Sequence, residues 1–204
     1  MSENPMRSVQ RRSLLAGLLF SVCTAKHSAL YANAAMRYRV DPLQSRARFV
    51  VRVPAVGEVI CEFAAITGEI DLDFDGLQGA AHIQIDTQSL RMLQYPFAWL
   101  ARSREFLDTA RFPMASFVTR DIQFLDGKAV TATGLLTIKQ LPRRERFDIQ
   151  KLEHHPASAL EPAKLIVEVV RQVSRRQFEI NGLPGVIDDM VRVELRLTAL
   201  AIPG

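Results

Sequence analysis

Along most of the chain, hydrophobic and polar residues alternate with a period of two. Arg46-Ala-Arg-Phe-Val-Val-Arg-Val53 sets Ala47, Phe49, Val51 and Val53 on one face and Arg46, Arg48 and Arg52 on the other, the mark of a strand with one buried side. Residues 58–63 follow, and residues 68–73 alternate again before a turn at Asp73-Phe-Asp-Gly76. In Ala81-His-Ile-Gln-Ile-Asp86, Ile83 and Ile85 point one way while His82, Gln84 and Asp86 point the other. Residues 115–124 and 130–138 flank Asp126-Gly127, a strong hairpin pair, with Val130, Ala132, Gly134, Leu136 and Ile138 on one face. Residues 146–152, 165–173 and 191–197 complete the set; in the last, Val191, Val193, Leu195 and Leu197 alternate with Arg192, Glu194 and Arg196. One stretch breaks the period: residues 95–108, between Pro96 and Pro113, read as helical or irregular. Pro156 and Pro162 mark a surface connection.

About eight one-sided strands joined mostly by short turns cannot leave their apolar faces in water. They predict an all-β antiparallel fold, either a sandwich or a closed barrel. Periodicity does not choose between the two, and it names no ligand.

The first 34 residues are different. A basic stretch ending in Arg11-Arg12 precedes an apolar run from Leu14 to Val22, and Ala32-Asn33-Ala34 has the form of a cleavage site. Residues 1–34 therefore read as an export signal, cut near Ala34, and residues 35–204 as one mature, periplasmic domain. The apolar run is shorter than the roughly 20 residues of a membrane span. Gln10-Arg-Arg-Ser-Leu-Leu15 resembles a twin-arginine signal, with Leu14 where that motif favours phenylalanine. A general secretory signal holding two adjacent arginines is the alternative. Lipidation at Cys23 is disfavoured by Val22 before it.

Removing this segment changes the electrostatics. Arg7, Arg11, Arg12 and Lys26 against Glu3 give it +3 of the chain's formal +4, so the pI of 9.4 mostly reports the leader. Nucleic-acid binding, which needs clustered phosphate contacts, loses its support. Cys61 is then the lone mature cysteine and is expected to be buried in a strand.

Motifs of hydrolytic and phosphate chemistry are absent: there is no glycine-x-serine-x-glycine, no His-Glu-x-x-His and no glycine-rich phosphate loop. His154 and His155 are adjacent and in a strand would face opposite sides, a poor start for a metal site. Arg102 and Asp108 are read as a pair holding the irregular stretch in place.

Six blocks, in order, resemble the YceI family of periplasmic polyisoprenoid-binding proteins. They are Tyr38-Arg-Val-Asp-Pro-Leu-Gln-Ser45 with Phe49; Phe63 with residues 66–73; Ile85-Asp-Thr-Gln-Ser-Leu90; Leu100-Ala-Arg-Ser-Arg-Glu-Phe-Leu-Asp108 with Phe112-Pro113 and Phe117; Gly134-Leu-Leu-Thr-Ile138; and residues 175–180 with Phe178. Gln44 replaces a usual histidine, Lys139-Gln140 a common histidine-glycine, and Glu179 a frequent glycine. The resemblance implies an eight-stranded antiparallel lipocalin-like β-barrel with a short helical segment between strands and an elongated apolar pore. It implies a carrier that encloses a long-chain isoprenoid lipid, polyprenyl or quinone in type, rather than an enzyme. No resident cofactor is expected beyond that lipid or isoprenoid quinone. Transient contact with inner-membrane proteins and a homodimer remain open as partnerships.

In such a pore, strand parity turns inward Phe49, Val51 and Phe63, then Ile83 and Ile85, then Phe117, Leu136, Ile138 and Phe147. Val167, Val169, Val193 and Leu195 complete the wall. Leu100 and Phe106, with Phe97 and Trp99, either cover the pore or anchor their loop. Two other readings stand beside the carrier. One is an enzyme acting on an isoprenoid lipid, with Glu105, Asp108 or the His154 pair as acid–base groups. The other is a partner or stress-response protein of a membrane cytochrome system, without lipid cargo.

Overall fold

The computed structural model describes residues 35–92 and 97–202. The export-signal reading of residues 1–34, Cys23 and Tyr95-Pro96 lie outside the described residues. The chain forms a closed, eight-position antiparallel β-barrel. Three positions are each built from two shorter strands in line: β1 (Met36–Val40) with β2 (Arg46–Val53), β3 (Gly57–Phe63) with β4 (Ile66–Asp73), and β5 (Gln78–Asp86) with β6 (Leu90–Met92). A single helical turn, α1 (Ala98–Arg102), follows. The other five positions are continuous: β7 (Met114–Leu125), β8 (Lys128–Ile138), β9 (Leu141–His155), β10 (Lys164–Ser174) and β11 (Met190–Ala201).

Closure comes from β1, which pairs β4 on one side and β11 on the other, with Tyr38 opposite Ala201 and Val40 opposite Ala199. β2 continues along the same edge of β11, from Arg46 opposite Arg196 to Val51 opposite Val191. β3 then pairs β2 and β6, while β4 pairs β1 and β5. The three breaks therefore lie side by side, and the wall divides along them. Polar side chains hold the division. Asp41 Oδ1 accepts the Leu43 N–H at 2.9 Å, and Ser45 Oγ accepts the Thr198 N–H at 3.1 Å. Ser89 Oγ accepts the N–H groups of Ala64 and Ala65 at 3.2 and 3.1 Å. Asp86 Oδ1 accepts the Gln88 N–H at 2.8 Å, capping the turn between β5 and β6.

The expected hairpins form. Asp126 and Gly127 both take positive φ, 50° and 74°, as a two-residue turn requires. Lys139 and Gln140 do the same at 51° and 62°, so the β8–β9 turn forms without a glycine. At Gly134 the reason for glycine is space: a Cβ there would sit 2.2 Å from the Val118 carbonyl oxygen.

Side chains fill the middle of the barrel. Phe117 and Phe147 meet edge-on with ring centroids 4.9 Å apart, and Phe49 and Phe63 pack at the same distance. Phe63 and Phe147 are almost fully buried. One end is closed by rings, with Phe74 5.2 Å and Tyr38 6.1 Å from His154. The other end differs.

Candidate functional site

At the opposite end, the β2–β3 turn, α1 and the segment between β10 and β11 converge around a cavity of about 270 Å3. Its wall is apolar nearly throughout. β2 contributes Phe49, Val51 and Val53, β3 contributes Val59 and Cys61, and β6 contributes Met92. The helical segment adds Phe97, Leu100, Ala101, Phe106 and Leu107, and residues 180–187 add Ile180, Leu183, Val186 and Ile187. A larger hollow of about 670 Å3 lies on the outside of the wall, lined by Arg46, Arg48, Glu168, Glu194 and Arg196, and is a solvated groove between charged side chains.

Two polar groups touch the cavity. Cys61 sits in β3, and burial pushes its thiol up to about 11 from an ordinary 9.0, so it stays protonated at neutral pH. Arg175 is 4% exposed. Burial depresses its pKa, with Asp189 opposing the shift. Its guanidinium donates to the carbonyls of Ile180 (2.7 Å), Gly182 (2.9 Å), Ile187 (3.1 Å) and Asp188 (3.1 Å). Carbonyl dipoles, rather than a single carboxylate, stabilise this buried charge, and the charge fixes residues 180–188 as one wall of the cavity. Phe106 stacks against Gly182, where a Cβ would fall 2.2 Å from its ring.

Of the side chains assigned to the pore wall, Phe49 and Val51 reach this cavity, joined by Val53 and Val191 from the same strand faces. Leu100 and Phe106 also line it, so the irregular stretch is a wall as well as a cover. Ile83, Ile85, Leu136 and Val193 surround an inner void of about 10 Å3, together with Phe117, Phe147 and Leu195. Val167 and Val169 border a second void, of about 60 Å3. Phe63 and Ile138 are buried at 1% and 5% exposure and line none of the three. The elongated pore expected from the resemblance is thus divided into compartments. Phe49 borders both the mouth cavity and the inner void, and Phe117 and Phe147 separate the two deeper spaces.

Other expectations are corrected. Arg102 does not pair with Asp108. Its guanidinium donates to the Leu90 carbonyl and ties the helical segment to β6, while the Asp108 carbonyl accepts the N–H groups of Arg111 and Phe112. Of the alternative acid–base groups, the His154 pair lies away from the mouth, with His154 packed against Tyr38 and Phe74 at the closed end. Glu145 went unnoticed in the sequence. It shares the inward face of β9 with Phe147, is 7% exposed, and accepts from Arg171 at 3.2 Å. The pairing of β9 with β10 ends nearby at Asp148 opposite Val170, so the ion pair sits where those strands part. Residues 180–187 carry no periodic pattern; only their apolar content, Asn-Gly-Leu-Pro-Gly-Val-Ile after Ile180, marked them.

Comparison with known proteins agrees with this architecture. The model of the YceI-like domain family matches residues 38–199. The fold is similar to that of Burkholderia cenocepacia BcnA, at 20% identity and a TM-score of 0.67 over 78% of this chain and 98% of that one. It is also similar to a polyisoprenoid binding domain from Saccharophagus degradans implicated in plant cell wall breakdown, at 17% identity and 0.60 over 82% and 99%. The Campylobacter jejuni YCEI protein matches at 13% identity and 0.60 over 71% and 85%. No curated protein matches the chain.

Proposed function

The chain belongs to the YceI-like domain family, and from that premise we propose that it is a periplasmic carrier of an isoprenoid lipid, polyprenyl or quinone in type. The mouth cavity carries this reading, because it is a preformed apolar hollow lined by aliphatic and aromatic side chains, suited to a ligand that offers almost no hydrogen bonds. Support also comes from the Saccharophagus degradans domain, a structural neighbour described as polyisoprenoid-binding. Enclosure is the mechanism. Each Å2 of apolar tail removed from water contributes roughly 25 cal/mol, so affinity grows with the length enclosed.

The cavity takes one end of such a tail. Phe49 marks the cavity's inner limit, beyond which lies an inner void of only about 10 Å3. The lipid's polar end stays at the mouth. In this reading the protein binds and shields its lipid without altering it, and it reaches its compartment through the export signal at residues 1–34.

The test is native mass spectrometry of the protein isolated from its own periplasm, followed by organic extraction. A stoichiometric isoprenoid supports the carrier and names its cargo. An empty protein that also refuses added quinones and polyprenols overturns it.

A further inference from the structure

The three chain segments that project around the mouth share a property. Val53-Pro-Ala-Val-Gly57, Phe97-Ala-Trp-Leu-Ala101 and Asn181-Gly-Leu-Pro-Gly-Val-Ile187 contain no charged residue. Five large apolar side chains on them face water: Val56 is 52% exposed, Phe97 37%, Trp99 65%, Leu183 40% and Val186 51%. Val56, Leu183 and Val186 also line the mouth cavity, so the exposed apolar rim is continuous with the cavity wall. Soluble surfaces rarely leave such contiguous patches without a use.

Charge is set back behind the rim, and it is basic. Residues 91–111 carry Arg91, Arg102, Arg104 and Arg111 against Glu105 and Asp108. Arg91 and Arg104 are exposed and make no ion pair among the described residues. Lys139, on the β8–β9 turn, reaches the Glu179 carbonyl at 2.9 Å and adds a cation on the same end. The closed end has a mixed character. Its β4–β5 hairpin carries Asp73 and Asp75 as well as Asp71, which pairs with Arg37 at 2.7 Å, and its β7–β8 turn carries Asp126 near Lys128.

We propose that the mouth end docks on the surface of an anionic lipid bilayer, placing Val56, Trp99, Leu183 and Val186 at the headgroup–acyl boundary so that lipid passes directly into the cavity. Apolar side chains at the contact point with arginines one tier behind match the layered chemistry of that surface, apolar within and anionic outside. The closed end, where acids and bases are interleaved, is attracted less than the basic mouth, which favours the orientation that presents the mouth. The proposal rests on the carrier reading for its purpose, but the docking itself does not require that cargo be found.

Trp99 is the only tryptophan of the chain, so its fluorescence reports on the rim directly. The experiment mixes the full chain with vesicles of equimolar phosphatidylglycerol and phosphatidylcholine at low salt. The expected result is a blue shift of Trp99 emission and quenching by bromine-labelled acyl chains, both lost in high salt. Binding should fall at least about tenfold in Leu183→Glu/Val186→Glu and several-fold in Arg104→Glu. Both variants keep the basic and apolar residues 7–34, so the differences belong to the rim, and circular dichroism checks that they fold. An unshifted Trp99, or an equal shift with pure phosphatidylcholine or in the double variant, overturns the proposal. So does a blue shift produced without vesicles by raising the protein concentration, which would point to a second copy on the rim. Quinone uptake from solution with no vesicle response would sink the docking and leave the carrier standing. Docking by a protein that never holds lipid would do the reverse.

Discussion

The middle of the barrel and its mouth are built on different principles, although the same strands run through both. In the middle, inward side chains from opposite walls meet and exclude space, as the ring contacts of Phe117 with Phe147 and Phe49 with Phe63 show. At the mouth the wall divides into β2–β3–β6 on one side of the breaks, and loops complete the enclosure. The difference teaches that stability and binding can be altered separately here. Strand packing sustains the first, and the helical segment with residues 180–187 shapes the second.

Phe147→Ala makes the largest break in this comparison. If the middle is solid core, chemical denaturation should show a loss of about 3–5 kcal/mol; a loss below about 1 kcal/mol would mean that the ring borders an open channel. Arg175→Met should come next. It strips the donor from the carbonyls of Ile180, Gly182, Ile187 and Asp188. A destabilisation of about 3 kcal/mol is expected, with faster hydrogen exchange concentrated in residues 180–188.

The Cys61 thiol, held at about 11 against an ordinary 9.0, sets a pH window. Between those values the unfolded chain holds thiolate while the folded chain still holds thiol. Folding then binds a proton, and stability falls as pH rises through the window, by up to about 3 kcal/mol. Cys61→Ala should remove that component from the pH profile measured by denaturation. Leu100→Ala sharpens the mouth side: lipid affinity should fall about tenfold by titration while stability shifts by less than about 1 kcal/mol. The smallest effect is a gain. Glu179 sits in left-handed backbone at φ 54°, a conformation that favours glycine, and Glu179→Gly should raise stability by about 1 kcal/mol in thermal unfolding.

Much of the middle was readable from residue order. Period-two alternation reports which face of a strand is buried, and Phe49, Ile83, Phe117, Leu136, Val193 and Leu195 all face inward as parity requires. β9 was read as residues 146–152 but runs from Leu141 to His155, because its first residues are exposed and polar and only pairing with β8 keeps them extended. The mouth was harder to read. Its wall includes Leu183, Val186 and Ile187, which belong to no strand and are held by Arg175 from a distance. A contact made by a buried guanidinium to four carbonyls leaves no periodic trace. The breaks in β1–β2, β3–β4 and β5–β6 were also missed as such, since Ser45, Asp86 and Ser89 look like ordinary strand-edge polar residues until their backbone partners are known.

The most direct test of the mouth as the lipid site uses Cys61, which lines it. The rate of its alkylation by a small maleimide is measured at pH 9 with and without a bound isoprenoid quinone. A tail seated in the mouth cavity should slow the reaction at least about tenfold, in proportion to occupancy. A quinone that binds stoichiometrically yet leaves the Cys61 rate unchanged would contradict the account and move the lipid elsewhere on the barrel.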